Sequence, residues 1–176
     1  WQKNPLLVRG AIPGFRGIVA RAEIFTLARK AQAQSRLISQ RRGKWQLDHG
    51  PFSKTQLQQL PRSNWTLLIQ DLNHFIDAGV TLLRQFSFIP YARLDDLMVS
   101  YAAPGGGVGP HFDSYDVFLL QGEGTRRWRI SQQKELSLIP DLPLKILHSF
   151  RPEQEWQLHP GDMLYLPPGY AHEGVA

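Results

Sequence analysis

From about residue 93 the chain is cut into short apolar runs: "LMVSYAAP", "DVFLLQG", "RRWRISQ", "LKILHSF" and "DMLYLPPG". Gly, Pro, Asp and Glu separate them. Runs this short, at close spacing and bounded by turn residues, cannot each become a core-facing helix. They call for short strands closed into a sandwich or barrel. The first half reads differently. "RAEIFTLARKAQ" (21–32) has Ile24, Leu27, Ala28 and Ala31 at helical spacing. "SRLISQRRGKWQLDHGPF" (35–52) reads as two strands around a turn at Gly43. "SNWTLLIQDLNHFID" (63–77) repeats Trp65, Leu68, Ile69, Leu72, Phe75 and Ile76 every three or four positions, which predicts a helix capped by Ser63 or Asn64 and ended near Gly79. The fold class expected is mainly β with N-terminal helices. Residues 1–92 would form a helical and strand region packed on a barrel of residues 93–176.

The 176 residues contain no cysteine. Disulfides and thiolate metal sites are therefore excluded, and any metal must be held by nitrogen and oxygen. No apolar run approaches the roughly 20 residues that span a bilayer, and "PLLV" is too short for a signal-peptide core. A cytoplasmic location is expected. The net charge of +5 is a modest excess that aids solubility. A functional excess would sit in "QRRGKW" (40–45) and "TRRWRI" (125–130).

"PGGGVGPHFDSYDVFLLQGEG" (104–124) places a polar cluster directly behind a glycine run. On a strand, residues two apart project to the same side, so His111 and Asp113 can address one metal. "HPGDMLYLPPGYAHEG" (159–174) turns at Pro160–Gly161, runs a short strand, turns again at Pro167–Gly169 and reaches His172. In a small barrel that path returns His172 to the interior. Two histidines and a carboxylate form a facial triad with open coordination positions, suited to Fe(II) and O₂. His49, His74, His148 and His159 lack a partner at strand spacing. Alternation in "GTRRWRI" sends Arg126 to the side of Trp128 and Ile130, the apolar interior. An inward guanidinium needs an anion. That anion is either a protein carboxylate or the carboxylate of a bound diacid such as 2-oxoglutarate.

His111 and Asp113, Arg126 fifteen residues beyond His111, and "PPGYAH" together resemble the JmjC-type 2-oxoglutarate oxygenases. "DDLMVSYAAPGGGVGPHFDSYDVFLLQGEGTRRWRI", "GKWQLDHGPF", "NWTLLIQDLNH" and "LHPGDMLYLPPGYAHEG" narrow the likeness to bacterial ribosomal oxygenases of the YcfD type. The resemblance implies a double-stranded β-helix (jelly-roll, cupin-like) core. It implies Fe(II), with 2-oxoglutarate and O₂ as cosubstrates, and hydroxylation of one arginine in protein sixteen of the large ribosomal subunit. His111, Asp113 and His172 carry over as iron ligands and Arg126 as the 2-oxoglutarate anchor. Ser100, facing inward, is the second cosubstrate contact. Asp116, with Tyr115 beside it, is the candidate grip on the substrate guanidinium.

The glycines at 105–107 are expected to clear the barrel mouth for ligands. Family members are about twice this length, with a dimerisation region and a winged-helix-like domain after the barrel. A homodimer is therefore expected of the full-length protein, with no membrane and no specific nucleic-acid partner. Three readings compete: a cupin-type metalloenzyme acting on a small molecule, a non-catalytic module that binds the ribosome through its basic clusters, and a protein demethylase using the same iron centre. In the first, Arg126 pairs with an internal acid.

Overall fold

The computed structural model describes residues 2–176, so the first residue of the N-terminal region lies outside it. Ten strands and three short helices follow one another as β1 (Leu6–Val8), α1 (Arg21–Leu27), β2 (Ser35–Arg41), β3 (Lys44–His49), α2 (Lys54–Gln58), β4 (Trp65–Ile69), α3 (Asp77–Arg84), β5 (Val99–Ala102), β6 (Val117–Leu120), β7 (Arg126–Ser131), β8 (Gln154–Leu158), β9 (Met163–Leu166) and β10 (Ala171–Val175). Every pairing is antiparallel, in three sheets ordered β3-β2-β4-β5, β10-β7-β8 and β1-β9-β6. Two of these pairings, β1 with β9 and β4 with β5, join residues before 93 to residues after it. Among the described residues no helix is long and apolar enough to cross a membrane.

The β2–β3 hairpin forms where expected. Arg42 and Gly43 both adopt positive φ (50° and 77°), the backbone a tight two-residue hairpin turn needs to match strand twist. Helix α1 also forms, but it stops at Leu27, burying Ile24 and Leu27. Ser53 starts α2 through a capping box with Gln56.

The predicted helix over 63–77 does not exist. Residues Trp65–Ile69 are strand β4, Leu72–His74 a single 3-10 turn, and helix α3 begins only at Asp77. The reason is burial on both faces. β4 lies between β2 and β5, and all five of its residues are buried. A central strand covered on both sides shows no polar alternation, so its apolar run imitates a helical stripe. Asn64 caps nothing; it sits at φ 63° in the turn before the strand. Gly79 lies inside α3, where a Cβ would come 2.9 Å from Asn73 Cα. "LKILHSF" likewise forms no strand. It makes one isolated bridge, Leu138 with Leu147, and buries Ile146 and Leu147 while Leu147 donates to the Pro110 carbonyl at 2.8 Å. Pro140 and Pro143 lie between the two bridging residues and cannot donate to a ladder there.

Two cores result. Trp65, Leu67, Ile69 and Leu72 pack with Ile24, Leu27, Phe52 and Leu57 on the helix side of the four-stranded sheet, joined by Val99 and Tyr101. Trp128, Ile130, Leu158, Leu164 and Leu166, with Leu7 and Leu119, fill the space between the two three-stranded sheets.

The glycine run closes the structure between these cores. It does not clear a mouth. A Cβ on Gly106 would lie 2.1 Å from the Trp65 carbonyl oxygen, and one on Gly107 would lie 2.4 Å from that of Gly174. Backbone meets backbone there, which only glycine allows. Gly106→Ala is expected to cost about 3 kcal/mol or more through enforced backbone movement. Gly43→Ala, with open space around it and only its positive φ to strain, should cost about 1–2 kcal/mol. Urea midpoints of the two variants check the ranking.

Candidate metal centre

His111 and His172 are joined by main chain before their side chains matter. The His111 amide donates to the His172 carbonyl at 2.9 Å, and the His172 amide donates back at 2.7 Å. This isolated bridge extends the β10-β7-β8 sheet by one residue pair beyond β10. The two imidazoles consequently stand side by side, with ring centroids 4.2 Å apart. Asp113 joins them from outside any strand. Its carbonyl accepts from the Gly169 amide at 2.8 Å, which ties it to the Pro167–Tyr170 turn. The pairing of His111 with Asp113 thus rests on a bridge and a turn, not on strand alternation. Asp113 Oδ2 lies 3.5 Å from His172 Nε2 and 4.0 Å from His111 Nε2. One donor atom from each residue falls within 4.8 Å of the others. Atoms this close can converge on one cation at about 2.0–2.5 Å.

The orientation of both rings is set by backbone carbonyls two residues earlier. His111 Nδ1 meets the Gly109 oxygen at 2.9 Å, and His172 Nδ1 meets the Tyr170 oxygen at 2.9 Å. A carbonyl only accepts, so each Nδ1 carries the proton and each Nε2 offers its lone pair toward Asp113. Nothing in the sequence signalled these carbonyls, since any residue supplies one. His172 is 2% exposed. Burial, reinforced by nearby His111, lowers its pKa to about 3 against the opposing effect of the Tyr170 hydrogen bond. It is neutral at physiological pH and ready to ligate. Burial holds the Asp113 pKa above the ordinary carboxylate value, offset only in part by His111 and Lys145.

Arg126 projects from the same sheet. On β7 it shares a face with Trp128 and Ile130, which are 7% and 1% exposed, and its own register partner is the fully buried Leu158 on β8. Its Nη1 donates to Ser100 Oγ at 3.2 Å, so the two residues expected to hold a cosubstrate are in contact. Burial lowers the guanidinium pKa to about 10, leaving it charged at neutral pH. Among the described residues no carboxylate lies within ion-pair distance of it. Arg129, on the opposite face, is paired with Glu173 of β10.

The remaining candidates sit at the rim. Tyr115 is 61% exposed. Burial of part of the ring, then the negative charges of Asp113, Asp96 and Asp95, hold its phenol above the ordinary pKa. Asp116 is already engaged, accepting from Tyr165 Oη at 2.5 Å and from Gln2 Nε2 at 2.8 Å. His49, His74, His148 and His159 are all exposed and stand apart from the cluster.

His111, Asp113 and His172 together form a donor set that could hold one metal ion, with the arginine of β7 on the same sheet. Residues 81–176 match the JmjC domain model, and the chain belongs to that family. Over its whole length it is 42% identical to the ribosomal protein uL16 3-hydroxylase of Escherichia coli K12, covering 47% of that protein. An X-ray structure of E. coli YcfD superposes with a TM-score of 0.92 at 42% identity, covering all of this chain and 47% of that one. The E. coli ribosomal oxygenase YcfD in complex with cobalt and 2-oxoglutarate superposes at 0.90, with 41% identity and 45% of its chain covered. The chain spans about half the length of the curated relatives it matches.

The pKa of His172 carries a stability signature. The unfolded chain takes up the proton near pH 6.5 and the folded chain only near 3. The stabilisation from burying the neutral ring is complete above about pH 6.5 and is lost as pH falls toward 3. In metal-free protein, His172→Gln should flatten the acid limb of urea-unfolding free energy across that window. An unchanged slope would contradict a buried neutral ring.

Proposed function

We propose that this chain carries the catalytic centre of an Fe(II)- and 2-oxoglutarate-dependent oxygenase that hydroxylates an arginine side chain of a large-subunit ribosomal protein. The carrying observation is Arg126: a charged guanidinium on the inner face of the sheet that ends at the His-Asp-His cluster, touching Ser100 and with no carboxylate in ion-pair distance among the described residues. A cupin-type enzyme on an unrelated small molecule would need an internal acid there. In this reading residues 93–176 form the core of a double-stranded β-helix walled by the two three-stranded sheets, and residues 1–92 pack against it and lend β1 to one wall.

The donor set fits the metal. Two imidazoles presenting Nε2 and one carboxylate are the ligands of the facial triad, so His111, Asp113 and His172 would hold Fe(II). Arg126 and Ser100 would hold the far carboxylate of 2-oxoglutarate by charge-assisted hydrogen bonds. When bound, iron, 2-oxoglutarate and O₂ supply the oxidising power to insert oxygen into an unactivated C–H bond, with succinate and carbon dioxide released. The protein's part is placement. Arg126 compensates the diacid's charge and sets its depth. The Gly109 and Tyr170 carbonyls keep both imidazoles in the ligating tautomer. Trp128 and Ile130 keep water from the inner wall. At the rim, Tyr115 and Asp116 are the substrate-side residues, and the neighbouring carboxylates of Asp95 and Asp96 make that rim anionic, which suits a guanidinium substrate.

The relatives' names support a ribosomal-protein substrate; a cytoplasmic location, a homodimer at full length and no specific nucleic-acid partner belong to this proposal on the family resemblance alone. Full-length protein incubated with Fe(II), 2-oxoglutarate and the large-subunit protein uL16 should add one oxygen to an arginine, read by peptide mass spectrometry, with matching succinate. His111→Ala, Asp113→Ala and His172→Ala, or a chelator, should each reduce turnover at least about 100-fold. Arg126→Met should raise the 2-oxoglutarate requirement about 10–100-fold. Loss of a methyl group from lysine in place of oxygen gain would assign a demethylase. Ribosome binding that persists in His111→Ala without any turnover in the parent would assign a non-catalytic module.

A further inference from the structure

The inner face of β4 and β5 holds a hydroxyl that the site described so far does not use. Thr66 is 0% exposed, and among the described residues its Oγ1 is the buried side-chain polar atom without a hydrogen-bond partner. An unpaired buried hydroxyl costs about 1–3 kcal/mol, so its presence in a central strand needs a reason. Its direction follows from the sheet. Trp65, Leu67 and Ile69 face the helix-side core, as do Val99 and Tyr101 of β5. Thr66 and Leu68 therefore face the other way, together with Ser100 and Ala102. The register pairs Thr66 with Ala102 and Leu68 with Ser100. Thr66 and Ser100 are thus diagonal neighbours on one face, with Cβ atoms about 7–8 Å apart or somewhat less. A carboxylate lying between two such hydroxyls can accept from both.

A chain of main-chain bonds puts Arg126 at the same end of this space. The Ala103 amide donates to the Trp65 carbonyl at 3.1 Å, Gly106 to Ala103 at 2.7 Å, and Ala176 to Gly106 at 3.0 Å. Val175, beside Ala176, is paired with Arg127. On its other side Thr66 is paired with Ile38, which is 1% exposed and offers no polar side-chain atom. We propose that Thr66 Oγ1 donates a hydrogen bond to the carboxylate that Arg126 neutralises, so that Thr66, Ser100 and Arg126 form one cradle for the distal carboxylate of 2-oxoglutarate. The inference rests on the 2-oxoglutarate reading above and adds a residue to it. The hydroxyl is left unpaired by the protein because its partner is the diacid.

The test titrates full-length, Mn(II)-loaded protein with 2-oxoglutarate and with succinate by calorimetry, and measures ligand-free thermal unfolding. Thr66→Val, which keeps the branched shape and loses only the hydroxyl, should weaken both diacids about ten-fold without lowering the ligand-free melting temperature. Thr66→Ser should bind within about three-fold of the parent, restoring what Val loses. Parental affinity in Thr66→Val overturns the role of Thr66 and leaves the 2-oxoglutarate reading standing. A ligand-free melting temperature below the parent's, or Ser as weak as Val, makes the residue structural and overturns the inference too. Failure of the parent itself to bind either diacid overturns this inference and the 2-oxoglutarate reading together.

Discussion

The site depends on a pair of main-chain hydrogen bonds between His111 and His172. Those residues arrive from loops of different character, one behind a glycine run and one behind a proline turn. The reciprocal 2.9 and 2.7 Å bonds fix their Cα atoms as strand neighbours, and everything else about the centre is adjustment on that base. The carbonyls of Gly109 and Tyr170 orient the rings, and the Gly169 amide draws Asp113 alongside. A cluster of three ligands is thereby held largely by backbone. Backbone geometry is less mobile than side-chain rotamers, which favours preorganisation at an energetic cost spread over the whole sheet.

Much of this was legible in the residues, and the failures have identifiable causes. Strands β5, β6, β7 and β9 were visible because turn residues bound them on both sides. The β2–β3 hairpin was visible because Gly43 marks the only geometry its turn can take. Strand β4 reads as helix in the sequence because it is buried on both faces and so lacks the alternation that reveals a strand. Leu67, buried yet off the apparent helical stripe, was the available warning. For the site, residue type and spacing were enough to single out His111, Asp113 and His172, and alternation around Trp128 was enough to turn Arg126 inward. The wrong part was the mechanism of assembly. Strand periodicity predicts the ligand pair, but a bridge and a turn bring it together. The hydrogen bonds of Asp116 to Tyr165 and Gln2 span long sequence separations and leave no local trace.

The positive charge of the chain is distributed by pairing. Arg9 is bound to Asp162 and Arg129 to Glu173, while Arg41, Arg42 and Lys44 stand in solvent at the hairpin tip. Arg126 differs from all of these by combining an inward position with no carboxylate in ion-pair distance among the described residues. Net charge therefore says little about what this protein binds. One guanidinium, made costly by its surroundings, says much more.

His172 and Arg126 lie on adjacent strands of one sheet, with His172 opposite Ile130 and Arg126 four residues further along β7. That separation is about 13 Å of strand at 3.3 Å per residue, with an imidazole rooted at one end and a guanidinium at the other. Neither strand can slide without breaking its ladder. On the oxygenase reading, the sheet works as a gauge of molecular length: a diacid one methylene too short or too long would reach the cation or the guanidinium, but not both.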